Sequence, residues 1–226
     1  MKTEEVLIHK KSLSNQVYEV IKKWILDLKF SPGERLDTQE IGRILNVSHA
    51  PVRDAMNRLL QEGLIKVKPR VGYFVEELMI HDVEQLFGVR QLLESYALRE
   101  KFSPVPEKEL QELKTILEAQ EKLPGEERSI EILEDVDIKL HRNLIIGRSE
   151  NHYIKEFYQS ILNRLTISMH LGHRYGKDVE EHTQLIDSWL DRKYEQTLEH
   201  LVYHLANVKD DLVLKLGKSE ADQEIR

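Results

Sequence analysis

The spacing of apolar residues changes abruptly at Gly63, and this change limits what the chain can fold into. Before it, the apolar residues of 13–28 recur every three or four positions, which is typical of an amphipathic helix. The run FSPG at 30–33 ends that helix. Thr38 is expected to cap a short second helix, and a third helix is expected over 48–62. Two short helices joined by a tight turn predict a helix-turn-helix.

After Gly63 the chain is β-prone. The runs LIKVK at 64–68 and YFV at 73–75 flank the turn-forming run PRVG at 69–72, which predicts a hairpin, or wing. Lys66, Lys68 and Arg70 make the wing basic, as contact with phosphates or with a narrow minor groove requires. Alternatively, these are solvated side chains on an exposed hairpin.

Beyond residue 80, segments of helical period are separated by clear breaks, which predicts an all-helical bundle of about six helices. The chain is therefore expected to be mainly α, with a winged helix-turn-helix over 1–76 and the bundle over 80–220. A polar, frayed tail is expected over 217–226. The six helices are expected over 81–102, 108–122, 130–146, 151–173, 179–190 and 193–216.

The charge of the chain is unevenly distributed. In 226 residues, 33 Lys plus Arg stand against 40 Asp plus Glu, giving a net charge of −7 and excluding a uniformly basic nucleic-acid coat. Residues 1–76 hold 13 basic and 10 acidic side chains, a net +3, and residues 77–226 hold 20 and 30, a net −10. Opposite signs on two segments indicate two different partners.

The chain contains no cysteine, which excludes disulfides, thiolate zinc sites and cysteine nucleophiles. Any metal must therefore be bound by carboxylates and by some of the ten histidines. No apolar run approaches the roughly 20 residues that a membrane span needs. The first ten residues, MKTEEVLIHK, do not resemble a signal peptide, so we expect a cytoplasmic protein.

The spacing of histidines in the bundle suggests a metal site. Asp137 and His141 lie four residues apart in one expected helix and share a face, so they could chelate one ion. His182 and His204 lie on later helices, and three imidazoles with one carboxylate suit Zn²⁺, Ni²⁺, Mn²⁺ or Fe²⁺. By spacing alone, a surface ion pair or hydrogen bond is the commoner explanation of an Asp and a His four residues apart.

Other histidines keep the ligand set open at this stage. By spacing alone, His200 could replace His204 as the last ligand, because the two lie four residues apart. His170 and His173 are further candidates. The remaining ones considered, His9, His81 and His152, have no partner pattern.

The N-terminal segment resembles a known family in three separate motifs. These are PGERL at 32–36, NVSHAPVRDAMNRL at 46–59 and EGL at 62–64, in the order found in the winged-helix domain of GntR-type bacterial transcription regulators. One departure is His49, since the family usually has arginine after the residue matching Ser48. An imidazole cannot reproduce a bidentate arginine–guanine contact, so we expect the operator sequence or affinity to differ from the family norm. The resemblance implies DNA contacts for Arg35, Thr38, Ser48, Arg53, the wing residue Arg70 and Gly72, with His49 facing base, phosphate or solvent.

The C-terminal segment resembles the FCD effector-binding domain of the FadR-like branch. The motifs are DIKLH at 137–141, SEN at 149–151, EH at 181–182 and HL at 204–205. The resemblance selects His204 over His200. It also implies that Arg90 faces the bundle cavity and pairs with an effector carboxylate, whereas a salt bridge to Glu94 is the alternative. The ligands implied for a divalent metal are Asp137, His141, His182 and His204, with Zn or Ni the most expected ion.

These observations favour a ligand-responsive transcription regulator rather than an enzyme. A homodimer would bind a palindromic double-stranded operator and sense a small organic acid at the metal. A second hypothesis keeps the regulator but makes the metal structural, or the signal itself. A third is a His/Asp metalloenzyme, for which Glu181 is the one obvious general base near the metal. Activation and repression are both open.

Overall fold

The structure, a computed structural model, describes residues 12–124, 127, 129–172 and 175–224. It divides into two compact units, the first ending at Glu77 and the second beginning at Leu78. The fold class predicted from the sequence is confirmed: a helix-turn-helix with a small sheet is followed by a bundle of helices. Within the described residues, no helix has both the length and the apolar character that crossing a membrane requires.

The N-terminal unit is built on the packing of its first and third helices. Ile21 and Ile25 of the first helix and Met56 and Leu59 of the third are fully buried. The elements are α1 (Leu13–Leu26), β1 (Arg35–Leu36), α2 (Thr38–Ile44), α3 (His49–Gln61), β2 (Ile65–Lys68) and β3 (Gly72–Val75).

The change of period at Gly63 is a helix stop. Gly63 follows α3 with a φ of +66°, in the left-handed region that favours glycine. The amide of Leu64 donates to the carbonyl of Leu59 at 3.0 Å, which closes the last turn and turns the chain into β2.

The wing is part of a three-stranded antiparallel sheet in the order β1-β3-β2. The hairpin of β2 and β3 was predicted, but β1 was not, because two residues give no alternating pattern. Arg35 pairs with Phe74 in the register of β1 on β3. Residues 35–36 therefore brace the wing from the side opposite β2.

The cap of α2 is a correction to the sequence prediction. Asp37, not Thr38, caps this helix: its carboxylate accepts from the amides of Gln39 at 2.9 Å and Glu40 at 3.1 Å. These two bonds hold the pKa of Asp37 below its ordinary value. Thr38 is instead the first helical residue. The adjacent Asp and Thr both suit an N-cap, so composition alone did not distinguish them.

The second unit is the expected bundle of six helical segments. One of them changes character: α6 (Ile130–Asp137) continues as a π-helical segment (Ile138–Ile146), whereas one uniform helix was predicted. The last helix extends to Glu224, past the predicted start of a frayed tail at residue 217. The other helices are α4 (Ile80–Lys101), α5 (Glu107–Lys122), α7 (His152–Gly172), α8 (Tyr175–Leu190) and α9 (Tyr194–Glu224).

The bundle has an apolar core with a distinct charged centre. Trp189 of α8 is fully buried, stacks on Phe102 and donates its indole N–H to the Phe102 carbonyl at 3.1 Å. Elsewhere the core is mostly leucine and isoleucine. Among these apolar residues lie several buried charged or titratable side chains: Arg90, Glu94, His141, Glu181, His182 and His204.

Truncation of the α1–α3 contact should loosen the N-terminal unit alone. Ile21→Ala removes buried methyl groups and leaves a cavity, so we expect the opening free energy of α1 and α3 to fall by about 2–4 kcal/mol. Amide hydrogen exchange followed by mass spectrometry on the full chain measures this locally. Val20→Ala is the control, because Val20 is 36% exposed on the same helix. Equal acceleration in both variants, or acceleration in α5, would contradict this packing.

Candidate metal centre and DNA-binding head

Four side chains from three helical segments, the first being α6 with its π-helical continuation, converge inside the bundle. Asp137 ends α6, His141 lies in the π-helical segment, His182 is on α8 and His204 is on α9. One donor atom from each lies within 4.8 Å of those of the other three. The structure thus brings together the four residues predicted as ligands.

The distances within this cluster fit one divalent ion. The Nε2 atoms of His141 and His182 are 3.3 Å apart, and each lies 3.6 Å from Oδ1 of Asp137. Oδ1 is 4.0 Å from Nε2 of His204. With metal–ligand bonds of about 2.0–2.1 Å, a tetrahedral ion holds its ligands roughly 3.3 Å apart. Nε2 of His204 has no hydrogen-bond partner among the described residues, as expected of an atom reserved for a metal.

Outer partners orient two of the three imidazoles. Nδ1 of His141 lies 2.6 Å from Oε2 of Glu94, and Nδ1 of His204 lies 2.9 Å from Oε2 of Glu181. Asn207 in turn donates to the other oxygen of Glu181 at 2.8 Å. A proton held on Nδ1 by a carboxylate leaves Nε2 unprotonated and turned towards the metal position. Glu181, considered as a general base, is instead engaged in orienting His204.

The protonation states agree with metal binding. Burial lowers the pKa of His204 to about 3, so this imidazole is neutral near pH 7. Burial alone would raise the pKa of Asp137, but His141 and Arg90 outweigh it and hold that pKa far below its usual range. For Glu94 the same two neighbours overcome burial and lower the pKa to about 2. The carboxylates are therefore ionised and His204 is neutral, with Nε2 free to bind a metal, as metal ligation requires.

Arg90 makes the salt bridge to Glu94 that the sequence left as an alternative, and it also lies beside the candidate metal site. Its Nε donates to Oε1 of Glu94 at 2.7 Å, which is the alternative salt bridge. Its Nη2 lies 3.7 Å from Oδ2 of Asp137, beside the metal position. Within the described residues, Nη1 and Nη2 are buried without a hydrogen-bond partner. The side chain therefore pairs with Glu94 while its Nη2 lies beside the candidate metal site.

Sequence reasoning underestimated two residues at this centre. Glu94 was considered only as a partner of Arg90, and Glu181 only as a base. Glu94 lies four residues after Arg90 on the same helix face, so the pairing of these two side chains could be predicted from the sequence. Its contact with His141 joins residues 47 apart and could not be read from one segment.

The remaining histidines take no part in the cluster as described. Nδ1 of His200 lies 2.9 Å from the carbonyl oxygen of Gln184, one turn of α9 before His204 and outside the four-residue cluster. His81 pairs with Gln85, and the ring of His152 packs on Tyr153. His9, His173 and the side chain of His170 lie outside the described residues.

The predicted DNA-contact residues lie around the helix-turn-helix and the wing. Ser48 precedes α3 and makes no capping hydrogen bond through its side chain. Together with Thr38 and His49 it lines an open concavity beside the turn. Arg53 is exposed one turn into α3. The side chain of Arg35 passes Gly72, where a Cβ would lie 3.6 Å from its Nε.

The wing is less basic than the sequence suggests. Lys66 forms ion pairs with Glu76 and Glu77, so part of its charge is already neutralised. Lys68 lies over the ring of Phe74 at 4.4 Å. Arg70 occupies the exposed tip with a φ of +63°. Arg70 and Lys68 are thus the wing cations best placed to reach a phosphate.

Two family profiles match the two units of the chain. The profile described as "Bacterial regulatory proteins, gntR family" matches residues 13–75, and the profile described as "FCD domain" matches residues 85–207. The chain belongs to the GntR family of DNA-binding transcription regulators and has an FCD domain.

Similar proteins agree with this membership. The GntR-family chain is 30% identical over 215 residues to the HTH-type transcriptional regulator YdhC of Bacillus subtilis, covering 90% of this chain and 93% of YdhC. A putative transcriptional regulator GntR from Rhodococcus shares the fold, with a TM-score of 0.71, 19% identity and coverage of 88% and 97%. The Zn²⁺-bound FCD domain of TM0439 has a TM-score of 0.55 and 27% identity, covering 62% of this chain and 96% of that domain. These families are regulators and not enzymes.

Removal of two imidazoles should abolish metal binding. We expect the double variant His182→Ala, His204→Ala to retain no Zn²⁺ after dialysis against a weak chelator, because two of four ligand atoms are lost. Metal content per chain is measured by elemental analysis. His200→Ala is the matched control, since it removes an imidazole one turn from His204 and should leave the metal content unchanged. The prediction fails if His200→Ala loses the ion and the double variant keeps it.

Proposed function

We propose that the protein is a dimeric regulator that binds a palindromic operator and senses a small carboxylate at a metal centre. The observation that carries this proposal is the position of Arg90. Among the described residues its two buried Nη atoms have no hydrogen-bond partner, and Nη2 lies 3.7 Å from Oδ2 of Asp137, the carboxylate ligand of the candidate metal site. A ligand bound there would contact the metal ion and the guanidinium group of Arg90 together.

The chemistry of this site favours a carboxylate as the effector. A guanidinium binds a carboxylate with two parallel hydrogen bonds, and an ion with an open position accepts one of its oxygens. Leaving two buried donors unpaired is costly, so an anion that pairs with them gains binding free energy. A neutral ligand would gain less. The effector is therefore proposed to be a small organic acid.

The metal is proposed to be a divalent transition ion, with Zn²⁺ or Ni²⁺ favoured. Three imidazole nitrogens and one carboxylate oxygen suit either ion. Zn²⁺ in the FCD domain of TM0439 supports the proposal by similarity. Asp137, His141, His182 and His204 would hold the ion, which would supply a Lewis-acidic position for the effector oxygen. The alternative is a metal that is structural or is itself the signal. The thermal-shift screen described below distinguishes this alternative from a metal that binds the effector.

On the DNA side, α3 is proposed to enter the major groove and the wing to contact the backbone. Arg53 projects from the exposed face of α3, and Ser48 and His49 stand at its start. Arg35, Thr38, Arg70 and Gly72 flank this surface and are proposed to contact phosphates or to allow close approach of the backbone. Residues 1–76, here called the reading head, have a net charge of only +3. DNA affinity must therefore come from a few specific side-chain contacts and from dimerisation.

A second copy of the chain is the proposed partner of the outer face of α4. Val89, Leu92 and Tyr96 form an apolar stripe there, and Leu92 is 73% exposed. On the neighbouring α7, Tyr153 and Phe157 are more than half exposed. A two-fold axis lays the same stripe on itself, which covers this surface without requiring a second type of partner. The dimer would present two reading heads to a palindrome, in the cytoplasm where bacterial DNA lies.

Loss of the arginine on the recognition helix should weaken operator binding. We expect Arg53→Ala to reduce binding free energy by about 1–3 kcal/mol, because a base or phosphate contact is removed. Affinity is measured by fluorescence anisotropy at fixed salt on a palindromic site selected from random DNA with the wild-type protein. Lys23→Ala, which removes an exposed cation from α1, should change affinity little. Full affinity in Arg53→Ala would refute the recognition-helix assignment.

A carboxylate effector should stabilise the protein only when the metal is present. In a thermal-shift screen of small carboxylates, ligand at about 100 times its Kd adds about 2.7 kcal/mol of stability. We expect this shift for the Zn²⁺-loaded protein, and we expect it to vanish after chelation. The primary amide of the same acid is the matched control and should give no shift. A shift that survives chelation would support the structural-metal alternative instead.

A further inference from the structure

The π-helical segment that carries His141 has a wider turn than the helix before it. At its end, the amide of Gly147 donates to the carbonyl of Arg142 at 2.8 Å, five residues back rather than four. Such segments are rare, end quickly, and often occur at functional sites. The segment begins at Ile138, directly after the metal-ligand candidate Asp137, and includes His141.

The burial pattern follows the wide turn. Val136, His141 and Ile146 are buried at intervals of five, and Leu140 and Ile145 repeat the same interval. In an α-helix, residues five apart point about 140° away from each other. They would not share one face. The wide turn therefore keeps His141 and Ile146 on the core side together.

His141 needs this orientation because it makes contacts in two directions. Its Nδ1 meets Glu94 at 2.6 Å, while its Nε2 lies 3.6 Å from Asp137 and 3.3 Å from Nε2 of His182. A rotation about the helix axis cannot preserve both sets of contacts. The segment that fixes this rotation thus fixes the ligand geometry.

Gly147 directly follows the wide turn, at a position where the turn leaves no room for a side chain. Its φ of −63° is ordinary, so backbone preference does not explain the glycine. A Cβ at this position would lie 2.5 Å from the carbonyl oxygen of Asn143 and 3.2 Å from that of Arg142. Both are backbone atoms inside the π-helical segment, and no change of rotamer moves them. Any larger residue must therefore displace the turn.

We propose that Gly147 is a positioning residue for the metal centre: by lacking a side chain it permits the wide turn that aims His141 at the metal. The proposal rests on the metal-binding part of the proposed function and not on the identity of the effector. Gly147 itself contacts no ligand atom. A side chain at position 147 would displace the carbonyls of Arg142 and Asn143, and this displacement would rotate His141 about the helix axis.

Gly88 of α4 provides a matched control within the same bundle. It also lies in a helical segment, yet a Cβ there would meet nothing within 4 Å beyond the adjacent backbone of its own helix among the described residues. Replacement of an exposed mid-helix glycine by alanine favours the helix. The Gly88→Ala variant is therefore expected to keep its metal affinity and to melt slightly higher without metal.

The test measures Zn²⁺ affinity of the full chain by competition with a coloured chelator, together with the melting temperature of the metal-free protein. We expect Gly147→Ala to bind Zn²⁺ at least tenfold more weakly than the wild type and Gly88→Ala to bind it equally well. The visible absorption of bound Co²⁺, which reports coordination geometry, should change in Gly147→Ala alone. A purely structural glycine would lower the melting temperature and leave both readouts unchanged, which would overturn the proposal.

A second variant keeps the proposal falsifiable if Gly147→Ala fails to fold. Deletion of Asn143, an exposed residue of the wide turn, returns the segment to α-helical spacing with Ile145 and Ile146 still on the face of His141. We expect this variant to fold, to bind Zn²⁺ weakly and to tolerate Gly147→Ala without further loss. Wild-type affinity in the deletion variant would overturn the role of the wide turn. A wild-type chain that binds no metal would instead refute the metal centre itself.

Discussion

The buried charges at the centre of the bundle are the constraint on which the rest of the domain depends. Arg90, Glu94 and Glu181 are buried, and Asp137 is nearly so. With neutral imidazoles, these four side chains carry one positive and three negative charges, a net of −2. Buried charge is tolerated only when it is paired and hydrogen-bonded, so the helices must hold these groups at fixed distances. A divalent cation at the cluster would bring this sum to zero.

The same network connects separate parts of the chain to one point. Arg90 and Glu94 belong to α4, Asp137 and His141 to the third helical segment of the bundle, and the other ligands to α8 and α9. An effector that pairs with Arg90 would alter the balance of charge on Glu94 and Asp137 together. Because α4 also carries the exposed apolar stripe on its other face, a small shift of this helix would reach the interface of the proposed dimer. Such a shift transmits a signal only to the extent that the effector binds the two arrangements with different affinity.

Local patterns of the chain were enough to predict most of the fold, and they failed where a contact was long-range or a helix changed its pitch. The helix-turn-helix and the wing follow from apolar spacing and from turn-forming residues near Gly63, whose positive φ stops α3. The strand Arg35–Leu36 exists only through its pairing with β3, which no local pattern reveals. The π-helical segment was missed because Asp137 and His141, four residues apart, share a face in either kind of helix. The carboxylates that orient His141 and His204 come from other helices, so their roles depend on the packing.

The ion pairs of Lys66 reduce the positive charge that the reading head can offer to DNA. The net charge of +3 counts every basic residue equally, yet Lys66 is engaged by Glu76 and Glu77 and Arg43 by Glu40. Exposed pairs of this kind contribute little to stability and reduce the local field that draws DNA. A head with few available cations binds non-specific DNA weakly, because that binding is almost wholly electrostatic. In the proposed dimer, recognition would then rest on contacts made simultaneously by the two N-terminal units, and operator occupancy would be sensitive to the distance between them.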